Sequence, residues 1–287
     1  MNDDIINKPR PKILLPKVDV IFKLLFGDKR NSEILVDFLK SVLNISEDEY
    51  ESIALEDTHL KRETIDDKLG IVDVRLTTKT GKIVHIEMQV LEQDDLPERV
   101  TYYNAKMLVT QLKSGDKQYN FKRTISIVIA DFEIVADSPK YHHTFMLNDK
   151  ESGATFTDVM EINTLELTKI PEHSDNTKKY DWLQFLKAER EEDFDMIAER
   201  SPAVKKAVVE LKRLSRDEET QRLYEAREIA IRDEYSRLRT SYNKGEIQGA
   251  RNKEIEIAVS AVKTGLTNEQ IYELTKLPIT EIETLRT

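Results

Sequence analysis

Cysteine is absent from the 287 residues of this chain. Its absence excludes disulfide bonds, metal sites built from thiolates and catalysis by a cysteine nucleophile. Apolar runs long enough to cross a bilayer are also absent, as is the pattern of a secretory signal peptide at the start. We therefore expect a soluble, cytoplasmic protein with no membrane partner.

Acidic residues outnumber basic ones, and the formal net charge at pH 7 is −10. This balance argues against a protein that coats nucleic acid, but net charge is a poor guide when the two signs are segregated along the chain. Residues 201–253 carry 13 basic and 9 acidic side chains, so that stretch is positive within an acidic chain. Nucleic-acid binding therefore stays open.

The spacing of apolar residues predicts a mixed α/β layer in the first half of the chain. Residues 19–43 have a helical pattern, and residues 52–64 read as extended. The hairpin described below follows, and Pro97 suits the start of the next helix. Residues 121–132 contain I-S-I-V-I-A, which is typical of a buried strand.

From residue 178 onwards the pattern becomes helical. Residues 217–243 form a long charged segment with an incomplete apolar stripe, which favours a partner helix within the chain or across a homodimer. Thr267 and Thr280 each begin a capping-box sequence and predict two helix starts near the end. We predict three parts: an α/β domain over 1–175, a helical extension over 176–245 and a small helix-turn-helix-like segment over 246–287.

Residues 70–89, G-I-V-D-V-R-L-T-T-K-T-G-K-I-V-H-I-E-M-Q, predict two strands and a turn, with apolar residues at the even positions of both strands. Opposed residues of an antiparallel pair point to the same face, so the numbers of each pair must sum to an even value. A three-residue loop at 79–81 satisfies this rule by pairing Thr78 with Lys82. It also places Gly81 where a left-handed conformation is required.

This register places Asp73 opposite Glu87 and Arg75 opposite His85, with Cβ atoms roughly 4.5–5.5 Å apart. Two facing carboxylates repel each other, whereas a Mg²⁺ ion between them, at about 2.0–2.1 Å from each oxygen, would bind both. The same alternation is also that of a solvated face on which Arg75 neutralises one carboxylate. Geometry alone favours this second interpretation.

Four segments in this order carry a family resemblance: D-V-I-F-K-L-L-F-G (19–27), D-K-L-G-I-V-D-V-R (67–75), I-E-M-Q (86–89) and R-V-T-Y-Y-N-A-K-M-L-V-T-Q-L-K-S-G-D-K-Q-Y (99–119). Together they resemble the recombination-promoting nuclease (Rpn) and transposase-like branch of the PD-(D/E)XK nucleases. The resemblance covers about residues 18–170, and it rests on order and spacing rather than on one motif.

The resemblance implies an α/β fold with a restriction-endonuclease-like core, in which a mixed sheet is flanked by helices, and an all-helical C-terminal region. It implies that Asp73 and Glu87 hold Mg²⁺ (or Mn²⁺), with the backbone carbonyl of Met88 as a further ligand. Gln89 stands where the family name has lysine. An amide carries no charge and takes no proton, so it can only orient water or phosphate.

Five further residues are candidates for support of such a site: Asp19, Lys23, His85, Arg75 and Gln111. Asp19 is equally suited to be a helix N-cap. Lys23 or another lysine such as Lys106 could replace the missing motif lysine. Arg99, at the start of the helix after the hairpin, could contact a DNA backbone or pair with Glu92 or Asp95.

The resemblance therefore predicts a Mg²⁺-dependent endonuclease that hydrolyses phosphodiester bonds in double-stranded DNA. The alternative is a nuclease fold with weak or no cleavage, kept as a DNA-binding or dimerising module. Gln89 and the net charge motivate this alternative. The C-terminal segment carries acidic residues on its outer face, which favours contact with protein over contact with a phosphate backbone.

Overall fold

The computed structural model describes residues 13–56, 74–113, 115 and 118–286. The chain divides into two compact units, Met1–Glu228 and Ile229–Thr287. Asp73 and most of the first predicted extended segment lie outside the described residues. The predicted three-part division of the chain stays a prediction.

Within the described ranges the helices are α1 (Asp19–Phe26), α2 (Ser32–Val42), α3 (Leu96–Val109), α4 (Lys178–Lys187), α5 (Glu191–Arg200), α6 (Pro202–Leu214), α7 (Glu218–Lys263), α8 (Asn268–Thr275) and α9 (Ile279–Thr284). The strands are β1 (Ala54–Leu55), β2 (Val74–Thr77), β3 (Ile83–Gln89), β4 (Thr124–Ala130), β5 (His142–Asn148) and β6 (Thr155–Glu166). None of these helices is both long enough and apolar enough to cross a membrane.

The described strands form one sheet in the order β1-β2-β3-β4-β6-β5. Strand β4 is parallel to β3 and to β6, and the other neighbouring pairs are antiparallel. All seven residues of β4, T-I-S-I-V-I-A, are buried, as expected of a central strand that is covered on both faces. A mixed sheet with flanking helices and a helical C-terminal region confirms the predicted fold class.

The hairpin of β2 and β3 has the predicted register. Arg75 pairs with His85 and Leu76 with Val84. The Thr78 N–H donates to the Lys82 carbonyl at 2.9 Å, and Gly81 has φ +89°. The turn is therefore the three-residue loop with a left-handed glycine, because only this loop length brings the apolar positions of both strands together.

Helix α3 covers one face of the sheet. The Asn104 amide, which is fully buried, donates to the Ser126 hydroxyl at 2.9 Å and to the Glu161 carbonyl at 3.0 Å. Leu96 and Val100 of the same helix pack with Val128 of β4. Residue 128 pairs with residue 87 of β3, so α3 lies on the face that carries the Glu87 side chain.

Helix α1 lies against β3 on the opposite face. Here an aromatic cluster forms the core: Phe22 stacks on Phe26 with ring centroids 4.5 Å apart, and Phe26 meets Phe38 and Trp182 at 5.3 and 5.7 Å. The Trp182 indole N–H is not left unsatisfied, since it donates to Asp37 at 3.0 Å. This packing ties α1, α2 and α4 together behind the hairpin.

The unit Ile229–Thr287 has its own small core of Ala258, Ala261, Ile271, Leu277 and Ile282. Thr267 and Gln270 form the predicted capping box at the start of α8. The second predicted capping box, at Thr280, was wrong. Helix α9 begins at Ile279, and the side chain of its N-cap residue, Pro278, accepts no hydrogen bond.

One helix is also longer than predicted. Helix α7 continues to Lys263 through Gly245 and Gly249, although the pattern predicted an end near Asn243. A glycine in an exposed helix costs only about 1 kcal/mol, and the good helix formers around both glycines outweigh it. Strand β6 is 12 residues long: residues 160–166 pair with β4, and the positions that pair with β5 run from Thr155 to Leu165 across two register shifts.

Candidate active site

The side chain at the centre of the candidate site is Glu87, near the C-terminal end of β3. The odd positions of this strand, His85, Glu87 and Gln89, share one face, while Val84 and Ile86 fill the core on the other. Glu87 is only 2% exposed. The alternative interpretation of a solvated hairpin face was therefore wrong for this carboxylate, because α3 covers it.

Burial of a carboxylate is expensive unless it is paired and hydrogen-bonded, and Glu87 is both. The Arg99 Nη2 donates to Glu87 Oε1 at 2.7 Å. The Gln89 amide donates to the same oxygen. A second guanidinium nitrogen of Arg99 donates to the Gln93 side-chain oxygen. The carboxylate is thus held in one orientation by a cation and an amide.

Arg99 reaches Glu87 because of where α3 begins. Residues 90–95 connect the end of β3 to the helix, and Pro97 stands in its first turn, where a missing N–H costs nothing. The Arg99 N–H donates to the Asp95 carbonyl at 2.9 Å, which fixes this first turn over the strand end. The interpretations that paired Arg99 with Glu92 or Asp95 were therefore wrong for its side chain.

The sequence contains a signal for this contact. A connection of this length brings the first turn of a helix back over the end of the preceding strand. Arg99 was the nearest cation to follow Glu87 along the chain, yet the alternation of the hairpin drew attention to Arg75. Instead, Arg75 pairs with Glu56, with 2.9 Å between Nε and Oε2.

Asp19 has a partner of a different kind. Its carboxylate is buried, and it accepts from Arg227 at 2.9 Å to Oδ1, with a second contact of 2.5 Å between Nη2 and Oδ2. It is not the N-cap, because Val18 occupies that position and α1 starts at Asp19 itself. In this structure Asp19 holds the first turn of α1 to Arg227 of α7.

Two other predicted residues, His85 and Lys23, lie on opposite faces of the sheet. His85 is half-buried, two residues before Glu87 on the same face. Lys23 is half-buried on α1, and its stem lies beside Gly27, where an added Cβ would be 3.3 Å from Lys23 Cγ and 3.6 Å from Val74 Cγ2. Lys23 is therefore next to the start of the described part of β2, on the face opposite to Glu87.

Gln111 does not reach this region. Its amide donates to the Lys122 carbonyl at 2.9 Å and its oxygen accepts from the Lys122 N–H at 2.7 Å. Glu87 pairs with Val128, six residues further along, which corresponds to about 20 Å of strand. Gln111 therefore braces the beginning of β4, and the structure does not place it with Glu87 and Gln89.

A second cation, Lys17, lies near the C-terminal ends of β3 and β4, where Gln89 is located. The Asp131 N–H donates to the Gln89 carbonyl at 3.0 Å, and the Asp131 carboxylate is 2.9 Å from Lys17 Nζ. Burial alone would lower the pKa of Lys17, but the ion pairs with Asp131 and Glu189 outweigh it and raise this pKa. Lys17 was not singled out in the sequence, because nothing there shows that residue 17 meets the end of β4.

The donor set of this site fits a divalent cation in part. Among the residues that the structure describes, no group of three or more His, Asp and Glu side chains is placed to hold a metal ion. Glu87 alone supplies a hard, oriented carboxylate oxygen of the kind that Mg²⁺ takes. Glu87 is therefore suited to be one of the two predicted carboxylate ligands. The other, Asp73, lies outside the described residues.

One family matches this chain. The sequence model described as "PD-(D/E)XK nuclease family transposase" matches residues 16–241, which is more than half of the chain and includes every side chain described in this site. Neither the curated proteins nor the solved structures contain a significant match.

Proposed function

Because this chain belongs to the PD-(D/E)XK nuclease family transposases, we propose that it is a metal-dependent endonuclease that hydrolyses phosphodiester bonds in double-stranded DNA. The observation that carries the proposal is the buried carboxylate of Glu87, held by Arg99 and Gln89 at the end of β3. A carboxylate on the outer face of a hairpin is ordinarily solvated, whereas Glu87 is buried and held in one orientation. The family to which the chain belongs is named for such a carboxylate.

The residues that would hold the ion are Asp73, Glu87 and the backbone carbonyl of Met88, and the ion would be Mg²⁺ or Mn²⁺. The confirmed register pairs residue 74 with residue 86. The same register, carried one residue further, is the reason for assigning Asp73 to Glu87. The chemistry that such an ion supplies is a bound water of lowered pKa and charge stabilisation at the phosphate.

The other side chains have roles that follow from their contacts. Gln89 donates to Glu87 through its amide nitrogen, which leaves its amide oxygen to accept from a water or to orient one. It neither gives nor takes a proton, so we assign it to orientation. His85 lies on the same face of β3, two residues before Glu87, and we propose that it contacts a phosphate of the DNA backbone.

A plasmid-nicking assay in Mg²⁺ or Mn²⁺ tests the proposal. We expect the wild-type chain to nick or linearise plasmid DNA, and Asp73→Ala and Glu87→Ala to lose this activity. Asp149→Ala is the matched control, because Asp149 is an exposed carboxylate in the turn between β5 and β6. Cleavage that persists in both site variants would contradict the assignment.

A second candidate is a nuclease fold that binds DNA without cleaving it. Gln89 favours it, since the amide adds no charge where the family name has lysine. Titration calorimetry with Mn²⁺ separates the two candidates. The endonuclease requires Mn²⁺ binding that Asp73→Ala removes, whereas the binding module requires DNA binding that neither Mn²⁺ nor Asp73→Ala changes.

We also propose that the C-terminal helices pair two copies of the chain. Leu238 and Tyr242 lie four residues apart on α7 and are 45% and 72% exposed, so they form an apolar strip on one face of this helix. Sedimentation of the wild-type chain should give a dimer, and the double variant Leu238→Glu, Tyr242→Glu a monomer. A wild-type monomer at all concentrations would contradict the proposal.

A further inference from the structure

So far Arg99 has been assigned only to holding the Glu87 carboxylate, with which it forms an ion pair. Two carboxylates and a divalent cation leave the assigned site with no surplus positive charge. The scissile phosphodiester is an anion, and further negative charge develops on it during hydrolysis. A fixed cation aimed at that position is the usual way to stabilise such charge. Gln89 cannot supply it.

The guanidinium of Arg99 is placed to do so. Of the cations that the structure describes, Arg99 is the one with a nitrogen on Glu87, at 2.7 Å. Its side chain is 17% exposed while that of Glu87 is 2% exposed, so the pair sits at the boundary between the core and solvent. Arginine presents several N–H donors in a rigid plane that matches phosphate oxygens as well as carboxylates.

The contacts of Arg99 also leave part of the guanidinium unused. One Nη donates to Glu87 and the other to Gln93. The Nε–H is buried and has no acceptor among the residues that the structure describes. The Nε–H groups of Arg75 and Arg123 are buried without a hydrogen-bond acceptor in the described part of the chain as well, so this feature leaves a donor available on Arg99, and what distinguishes Arg99 is its contact with Glu87.

A second arginine–glutamate pair in the same sheet provides a comparison. Arg123 donates to Glu161 with side-chain exposures of 21% and 8%, so this pair resembles the first in burial. It lies just before β4, five residues from the position that pairs with Glu87, or about 16 Å along the strand. Glu161 also accepts from the Asn163 amide at 2.7 Å, within a network of side chains.

We propose that Arg99 is the cation of this active site, which neutralises Glu87 in the free protein and binds a phosphate oxygen of the DNA in the complex. The inference rests on the proposed nuclease function and adds a residue to it. It predicts that α3, and not the hairpin, supplies the positive charge that Gln89 lacks. Arg99 then acts on the substrate and not only on the orientation of Glu87.

The first test measures cleavage in the full chain. Arg99→Ala should reduce the rate of plasmid nicking by about 100-fold or more, as the loss of one well-placed donor does elsewhere. Arg99→Lys, which keeps the charge without the planar fork, should recover at least about tenfold of that loss. Arg123→Ala is the matched control and should stay within about threefold of the wild type.

The second test does not depend on cleavage. Binding of double-stranded DNA without metal should weaken in Arg99→Ala, and the slope of log Kobs against log[salt] should become shallower by about 0.9, the value for one phosphate contact. Arg123→Ala should leave the slope unchanged. Calorimetry should show Mn²⁺ bound by Arg99→Ala at least as tightly as by the wild type, since a competing positive charge has been removed from Glu87.

The outcomes separate this inference from the proposed function. If Asp73→Ala and Glu87→Ala abolish cleavage while Arg99→Ala cleaves within about threefold of the wild type with an unchanged salt slope, the role of Arg99 is refuted and the nuclease stands. If Arg99→Ala folds but loses Mn²⁺ binding together with cleavage, Arg99 only holds Glu87 and the inference fails. If the wild type neither cleaves DNA nor binds Mn²⁺, both proposals fail together. Arg99→Gln replaces Arg99→Ala if the latter does not fold.

Discussion

From the contact between Glu87 and Arg99 we predict that Glu87→Gln destabilises the protein. The hairpin pattern alone would predict that this change has little effect. A glutamate on a solvated strand face can become glutamine at little cost. In the structure, Glu87→Gln removes the charge that compensates a guanidinium with only 17% exposure. We therefore expect the variant to be less stable than the wild type, even though it keeps the size and an acceptor oxygen.

The size of the effect follows from the burial of the two partners. Removal of one partner from a fully buried ion pair costs roughly 3–5 kcal/mol. Arg99 keeps some access to water, and the amide oxygen of the variant could still accept its hydrogen bond. The loss is therefore closer to that of a hydrogen bond to a charged group, about 2 kcal/mol. For a unit of this size that corresponds to a fall of about 4–8 °C in Tm.

Fluorescence of Trp182 is a suitable probe. It is the one tryptophan of the sequence, it is fully buried, and it packs against Phe26 in the same unit as Glu87. Urea unfolding followed at this residue reports the unit Met1–Glu228 and is not confused by the unfolding of the C-terminal unit. The free energy of unfolding should be measured without divalent metal, so that metal binding does not enter the comparison.

A double-mutant cycle isolates the contact itself. In Arg99→Met the guanidinium is absent, so Glu87→Gln should cost much less on this background than on the wild type. The reasoning is refuted if Glu87→Gln changes the free energy of unfolding by less than about 0.5 kcal/mol, or if its effect is the same on both backgrounds. Either result would mean that Arg99 does not pair with Glu87 in solution.

Four further changes test other parts of the fold. Burial would raise the pKa of Glu49, but hydrogen bonds from Lys82, Thr78 and Thr80 lower it from its ordinary value of 4.5 to about 2. The contribution of this carboxylate to stability is therefore complete above pH 4.5 and is lost as pH falls through 2. Glu49→Gln should therefore destabilise the protein by about 1–3 kcal/mol at pH 7 and less at low pH. Gly81→Ala should cost about 1–2 kcal/mol because φ is +89°. Asn104→Ala should cost about 2–3 kcal/mol, since it leaves buried groups of Ser126 and Glu161 unpaired. Thr267→Ala should cost the C-terminal unit about 1 kcal/mol through its lost cap.

Urea unfolding followed at Trp182 measures the first three of these changes, at pH 7 and, for Glu49, across the acid range. Circular dichroism measures the loss of helix for Thr267→Ala. Equal destabilisation by Glu49→Gln at pH 7 and at pH 2 would contradict the assigned pKa. A neutral Gly81→Ala would mean that the turn is not the three-residue loop, and a neutral Asn104→Ala that α3 is not fixed to the sheet by its amide.

The sequence by itself determined several local elements and the pairing of the β2–β3 hairpin. Periodicity identified α1, α3, β3 and β4, because the spacing of apolar residues within a segment shows which of its faces is buried. The even-sum rule determines the hairpin register from the sequence alone, since a shift by one residue would move every apolar side chain of one strand to the wrong face. The glycine at position 81 selected the loop length for the same reason.

The tertiary structure alone decided what covers each polar face. Alternation shows that Glu87 points away from the core of valines and isoleucines, but it cannot show whether water or a helix lies there. Because α3 crosses over the end of β3, a helix covers Glu87 and Arg99 becomes its partner. In the same way, the position of α7 brings Arg227 to Asp19. Such contacts join residues far apart along the chain, and they depend on how the elements pack rather than on any periodicity within one element.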